Sequence, residues 1–252
     1  MRLLHPSLLL GALLLLGACS MPGNGQPADD EPAFRVLVFS RTAGYRHDSI
    51  PDGIAAIQEL GAAHGFQVTA TEDPAYFQPD SLAKFAVVVF LNTSGDVLDA
   101  LQQEAFRAYI QNGGGFVGIH AASDTEYDWP WYGNLVGAYF KNHPHIQEAV
   151  VRVVDRTHPS TQELPEAWTR TDEWYNFREN PRSKGVQVLA VLDETTYEGG
   201  EMGEDHPISW YHVYDGGRAW YTAMGHTKES YAEPLFRQHL LGGILWAAGR
   251  TQ

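Results

Sequence analysis

From Phe34 onward, short runs of β-branched and aromatic residues alternate with longer stretches whose apolar residues recur every three or four positions. Short continuous apolar runs suit strands buried on both faces, and the longer period suits the helices that cover them. The pattern therefore predicts an α/β chain with a mostly parallel sheet and helices on both faces. Residues 34–40, 66–71, 86–91 and 116–119 are the predicted strands of the first half. Between them, Ile50, Ile54, Ile57 and Leu60 share one helical face over residues 50–64. Leu98, Leu101, Ala105, Phe106, Tyr109 and Ile110 do the same over 98–112, so two crossover helices are expected. The triplet Gly113, Gly114 and Gly115 ends the second, where positive φ is cheapest for glycine. The second half carries strand-like runs at 148–154, 186–192, 208–214 and 219–223, then an amphipathic helix over 233–248. No internal repeat or long polar break interrupts residues 33–250, which predicts one domain.

The segment before it has a different character. After Met1 and Arg2 an apolar run covers residues 8–16, short of the roughly 20 residues that span a bilayer. It reads as a signal peptide over residues 1–18. Leu16, Gly17, Ala18 and Cys19 resemble a bacterial lipobox, whose cysteine is lipidated and becomes the mature N-terminus. Cys19 is thus the expected lipid anchor, with an ordinary cleaved signal and an incidental thiol as the alternative. Residues 19–32 have the Pro, Gly, Asn, Asp and Glu of a linker. Ser20 stands where the inner-membrane retention pattern has Asp, which favours outer-membrane sorting. The expected location is the bacterial cell envelope, lipid-anchored and facing the periplasm or the surface.

Composition narrows the partners. The 252 residues are 44% hydrophobic and 12% aromatic, enough to bury one sizeable core. With 17 Lys and Arg against 31 Asp and Glu, and no basic cluster, nothing neutralises a phosphate backbone, so nucleic acid is not an expected partner. One cysteine forms no internal disulfide, and stability must come from packing.

In an open α/β sheet, ligands bind beyond the carboxyl ends of the strands. Those positions are polar here: Arg41, Thr42, Tyr45, Arg46, His47 and Asp48 after the first strand, Asn92, Thr93, Ser94 and Asp96 after the third, and His120, Ser123 and Asp124 after the fourth. Gly118, Ile119, His120, Ala121 and Ala122 have the small-x-nucleophile-x-small form of an elbow, with His120 as the raised residue. His226 follows a later strand with Glu229 three residues on, a carboxylate able to orient it as base or ligand. Arg46 and His47 suit an anionic or hydroxyl-rich ligand, while Asp48 or Ser49 is assigned to capping the next helix. In an extended segment His143 and His145 would share a face and chelate a divalent metal. His158 and His206, each before a proline, read as loop-shaping, with the rim as the alternative place for His206, and the aromatic run 127–132 as a sugar platform or a lid. The turn after the first strand lacks the GxGxxG of a nicotinamide site.

Taken together, the stretches Thr42 to Ile50, Gly115 to Ala122, Asp172-Glu173-Trp174-Tyr175, His206 to Trp210, and Gly225-His226-Thr227 resemble the ThuA-like, or trehalose-utilisation, family. That family lies within the class I glutamine amidotransferase-like fold, so the resemblance implies a flavodoxin-like sheet. This chain departs at the nucleophile, because His120 stands in the cysteine's position and Cys19 is the sole thiol. Glutamine hydrolysis through a thioester is therefore not expected. The resemblance instead implies chemistry on trehalose, related disaccharides or their 3-keto forms. His, carboxylate and aromatic residues fit a sugar, since aromatic faces stack on pyranose rings and polar groups bond hydroxyls. The expected catalytic residues are His120, His226, Glu173 and Asp124, and the expected substrate contacts are Arg46, His47, Asn92, Trp129, Trp174, Tyr175 and Trp210. No cofactor is certain, and a divalent metal is the one that these residues could hold. Hydrolysis, elimination and isomerisation stay open, as does a non-catalytic carbohydrate-binding lipoprotein.

Overall fold

The computed structural model describes Met1 and residues 34–250, and the expected signal peptide, Cys19 and the linker lie outside the described residues. In the first half, strands β1 (Phe34–Phe39), β2 (Phe66–Thr71), β3 (Val87–Leu91) and β4 (Gly115–Ile119) alternate with helices α1 (Ile50–His64), α2 (Pro79–Leu82) and α3 (Ala100–Gln111). Helix α4 (Pro130–Val136) and strands β5 (Phe140–Asn142), β6 (Gln147–Val153), β7 (Ala167–Asp172), β8 (Asn176–Phe177), β9 (Gln187–Leu192), β10 (Pro207–Tyr214) and β11 (Gly217–Thr222) follow. Helices α5 (Lys228–Ala232) and α6 (Pro234–Ala247) close the chain.

Among the described residues, nine strands form one sheet in the order β2-β1-β3-β4-β11-β10-β9-β6-β7. The first five are parallel: β1 lies in register with β2 and β3, and β4 joins β3 to β11. From β11 outward every pairing is antiparallel. The α/β reading holds, with the sheet divided into a parallel half and an antiparallel extension.

The physical reasons are local. Every residue of β3 and β4 is buried, which explains their unbroken apolar sequence. Neighbours in β11 point to opposite faces: Trp220 packs where Gly243 of α6 leaves room, and Tyr221 lies against Gly118 on the other side. On that second face Phe106 of α3 joins Phe90, Phe116 and Trp131 in an aromatic cluster. The β10–β11 hairpin turns through Asp215 and Gly216, both at positive φ, as a two-residue connection requires. Helix α3 starts with a full capping box between Asp99 and Gln102. Ser49 does occupy the N-cap of α1, but its hydroxyl makes no capping bond and turns instead towards Asn92 and the Gly225 carbonyl. The expected cap is thereby corrected: the side chain is drawn into the rim.

Strand β7 has no apolar signature because its inward side chains are Trp168, Arg170 and Asp172. Inward charge on an edge strand also blocks edge-to-edge pairing. A separate ribbon of β5 and β8 brings the segment after Asn142 beside the segment before Asn176.

Candidate active site

The strand order 2-1-3-4 reverses direction between β1 and β3, which is where open α/β sheets place ligands. Four strand ends converge there. His47 comes from the turn after β1, Asn92 follows β3, His120 follows β4 and His226 follows β11. Asn92 and His120 both have φ of 49°, rare for residues with a Cβ, so the chain turns sharply as it leaves each strand. Gly118 permits the turn at His120, because a Cβ there would lie 2.9 Å from the Tyr221 ring and 3.2 Å from Ala122 Cβ. Tyr221 donates to the His120 carbonyl at 2.8 Å and fixes the turn from below.

His120 itself is fully buried. Its Nδ1 lies 2.6 Å from the Ala223 carbonyl, which only accepts, so the proton sits on Nδ1. Nε2 then points at His226 Nδ1, 3.2 Å away, and at Glu173 Oε2, 3.4 Å away. Glu173 Oε2 also meets His226 Nδ1 at 3.0 Å, and Oε1 meets His143 Nδ1 at 3.1 Å. The ring of His47 stands edge-on to those of His120 and His226, with both centroids 4.9 Å away. Tyr175 packs over His120 at 4.1 Å and against Phe140 at 4.2 Å.

Electrostatics separate the members. Burial pushes His47 down to about 2, helped by the neighbouring imidazoles, so it stays neutral. Burial would raise Glu173, but the imidazoles of His120 and His226 beside its Oε2 outweigh it and hold the carboxyl well below its usual range. Burial would lower His226, but the Glu173 carboxylate outweighs it and holds the imidazole above its ordinary value. Asp124 is raised by burial, partly opposed by the Tyr127 hydroxyl that donates to it at 2.6 Å. The site therefore pairs an ionised carboxylate with a readily protonated imidazole, and sets beside them a carboxyl that keeps its proton more readily than usual.

A cavity of about 350 Å³ opens above this group, lined by Tyr45, His47, Asp124, Phe140, His143, Glu173, Tyr175 and His226. Asp172, fully buried beneath it, holds the floor in place. Its carboxylate accepts from the backbone N–H groups of Glu173 (3.0 Å), Gly225 (2.8 Å) and His226 (3.0 Å), and pairs with the buried Arg170 at 3.1 Å. Gly225 has φ of 112°, and a Cβ there would meet the Tyr231 hydroxyl at 2.9 Å.

Of the residues expected from sequence, His47, Asp124, Glu173, Tyr175 and His226 line the cavity, with His120 directly beneath. Several others lie elsewhere. Arg46 forms a two-pronged pair with Glu72 on the exposed surface. Asn92 is buried and spends its amide on Ser49 and the Gly225 carbonyl, so it holds the turn. Trp129, Trp174 and Trp210 are core residues: Trp129 stacks on Trp131, while Trp174 and Trp210 donate to the carbonyls of Gln147 and Val136. The aromatic cavity walls are instead Tyr45, Phe140 and Tyr175. Glu229 is exposed in the first turn of α5, and the carboxylate on His226 is Glu173. His143 reaches Glu173, but His145 is exposed and outside the histidine group, because the ribbon turns only the first of the pair inward. His206 is structural, lying between Glu194 and the Tyr175 carbonyl.

Sequence reasoning did not assign Asp172 or Phe140 to the site, and it placed Tyr45 on the rim without naming it as a substrate contact. Asp172 had a signal, a carboxylate directly before Glu173 at the end of a polar strand, whereas Phe140 had none because only the ribbon carries it to the cavity.

Comparisons with known proteins agree with this architecture. A putative ThuA-like protein from Bacteroides uniformis superposes with a TM-score of 0.74 at 27% identity, covering 88% of this chain and 95% of that one. A second, from Parabacteroides merdae, gives 0.71 at 21% identity over 85% and 90%. A β-galactosidase from Bacillus circulans shares the fold at 11% identity and a TM-score of 0.58, this chain matching 31% of its length. The curated proteins give no match. The family model for trehalose utilisation, ThuA, matches residues 35–247, and the chain belongs to that family.

Proposed function

We propose that this ThuA-family chain is a carbohydrate-active enzyme, acting on a disaccharide or glycoside, or on its 3-keto form, at the cavity above His120. One observation carries the reading: Glu173 and His226 face each other at 3.0 Å on the floor of a cavity whose walls are Tyr45, Phe140 and Tyr175. Such walls offer stacking faces to a pyranose ring. The pair below supplies a base, while Asp124, raised by burial, supplies a separate acid. Proton abstraction beside a keto group followed by protonation of a leaving oxygen uses both. The same groups serve hydrolysis or isomerisation, and the histidine group offers a metal-assisted route to each.

A non-catalytic sugar-binding protein is the alternative, and it uses the same walls. The lipobox-like segment ending at Cys19 supports export and lipid anchoring to the bacterial envelope.

The test is product analysis by mass spectrometry and NMR after incubating the purified protein with trehalose and 3-keto-disaccharides. Turnover that Glu173→Gln reduces at least 100-fold is expected, that being the lower end of the range about 10²–10⁴ for loss of a positioned base. Saturable sugar binding without turnover would replace the enzyme by the binder.

A further inference from the structure

We infer that His47, His120, Glu173 and His226 bind one divalent transition-metal ion. One nitrogen or oxygen from each residue lies within 4.8 Å of all the others. Around an ion with bonds of about 2.1 Å, ligand atoms stand roughly 3.4 Å apart in a tetrahedron and ~4.2 Å across an octahedron. Closing the observed group onto an ion thus takes movements of less than about 1 Å per side chain.

Three independent features favour an ion over a hydrogen-bonded cluster. His120 gives its Nδ1 proton to the Ala223 carbonyl at 2.6 Å, which leaves the Nε2 lone pair aimed inward. A backbone carbonyl on the far nitrogen is the usual way a protein fixes the tautomer of a ligating histidine. His47 is 4% exposed, and its buried Nδ1 has no hydrogen-bond partner among the described residues, a cost that coordination through Nδ1 would remove. Asp172 clamps the backbone of both Glu173 and His226, so two of the four donors start from a fixed frame.

Three imidazoles and one carboxylate suit Zn²⁺, Mn²⁺, Fe²⁺, Co²⁺ or Ni²⁺ and, without thiolate, do not single one out. The side facing Tyr45 and Asp124 opens to the cavity, leaving room for a hydroxyl or carbonyl oxygen of a ligand. His143 Nδ1 lies 3.1 Å from the outer oxygen of Glu173 and 2.8 Å from the Pro144 carbonyl, on the cavity side of the group. This set replaces the His143–His145 chelate read from sequence. The inference deepens the proposed function, resting on its placement of the chemistry at this cavity, but it is tested without sugar.

Purified full-length protein is stripped with EDTA and titrated with Zn²⁺, Mn²⁺ and Co²⁺ by calorimetry, with elemental analysis for stoichiometry. One ion per chain is expected, with a melting temperature that rises with metal concentration. His47→Gln and Glu173→Gln should each weaken binding at least 10-fold, whereas His145→Gln should leave it unchanged. Folding of the variants is verified by circular dichroism, and the visible spectrum of the Co²⁺ form of the unmutated protein reports nitrogen ligation without any variant. No binding of any of the three ions, or affinity unaltered by both quartet variants, overturns the site. Turnover of sugar by fully stripped protein would remove the metal from the chemistry and leave the carbohydrate reading standing. One ion per chain with no sugar turnover or binding would do the reverse.

Discussion

Asp172→Asn tests whether the site is held by a buried charge. Asp172 is fully buried and accepts three backbone N–H bonds, at 2.8 to 3.0 Å, from the two segments that carry Glu173 and His226. It also neutralises Arg170, whose side chain is 3% exposed. The amide keeps the shape but removes the charge, and it turns one acceptor into a donor that faces a backbone N–H. Removing one partner of a buried pair costs about 3–5 kcal/mol. Glu233 remains 3.4 Å from Arg170, so the lower part of that range applies. For a domain of this size, roughly 2–4 °C is lost per kcal/mol, which gives a fall of about 6–16 °C in melting temperature. Urea unfolding followed by circular dichroism should show a lower midpoint at an unchanged slope. Adding Arg170→Met should recover part of the loss, because the uncompensated cation is then removed. A loss under about 1 kcal/mol, well short of the buried-pair range, would refute the buried-charge argument.

Other consequences follow from the same geometry. Burial holds His158 at about 4 and His239 at about 3, and also lowers His206 and His212, so all four fold neutral. Below about pH 6.5 the unfolded chain binds protons that the folded chain refuses, so each histidine removes up to about 1.4 kcal/mol per pH unit as the pH falls towards its folded value. Urea titrations at pH 7.5, 6.5, 5.5 and 4.5 should show this decline, and a flat profile would contradict it. Tyr45→Ala, at an exposed cavity wall, should raise KM for a sugar substrate several-fold while leaving the melting temperature unchanged. An unaltered KM would remove Tyr45 from the binding surface. Gly61→Ala should destabilise by about 1–3 kcal/mol, since the new Cβ would lie 2.5 Å from the Phe66 carbonyl oxygen; a neutral result would show that α1 can shift off β2.

How far the site was legible depended on where each residue sits relative to a strand end. His47, His120 and His226 each follow an apolar strand, and a parallel sheet places such positions on one rim whatever the details of packing. The apolar runs of β1, β3 and β4 and the periodicity of α1 and α3 are properties of the sequence itself, because burial on both faces or on one helical face leaves a direct imprint. Strand β7 left none, because Arg170 and Asp172 occupy its inward positions and pair with each other in three dimensions.

Exposure was the quantity that sequence could not supply. Trp129, Trp174 and Trp210 have the chemistry of a sugar platform, but their burial makes them core, while Tyr45 and Phe140 form the walls. Charge partners were equally a matter of tertiary contact. Glu229, three residues from His226, was the near carboxylate in sequence, but a short helix turns it to solvent and the β5–β8 ribbon and β7 bring Glu173 instead. The sequence by itself thus determined the α/β class, the polar rim and the family, since these rest on periodicity and local motifs. Only the tertiary structure decided which histidines meet, which carboxylate joins them and which aromatics reach the cavity. Those contacts span 106 positions along the chain between His120 and His226, and more between His47 and His226, and packing alone fixes them.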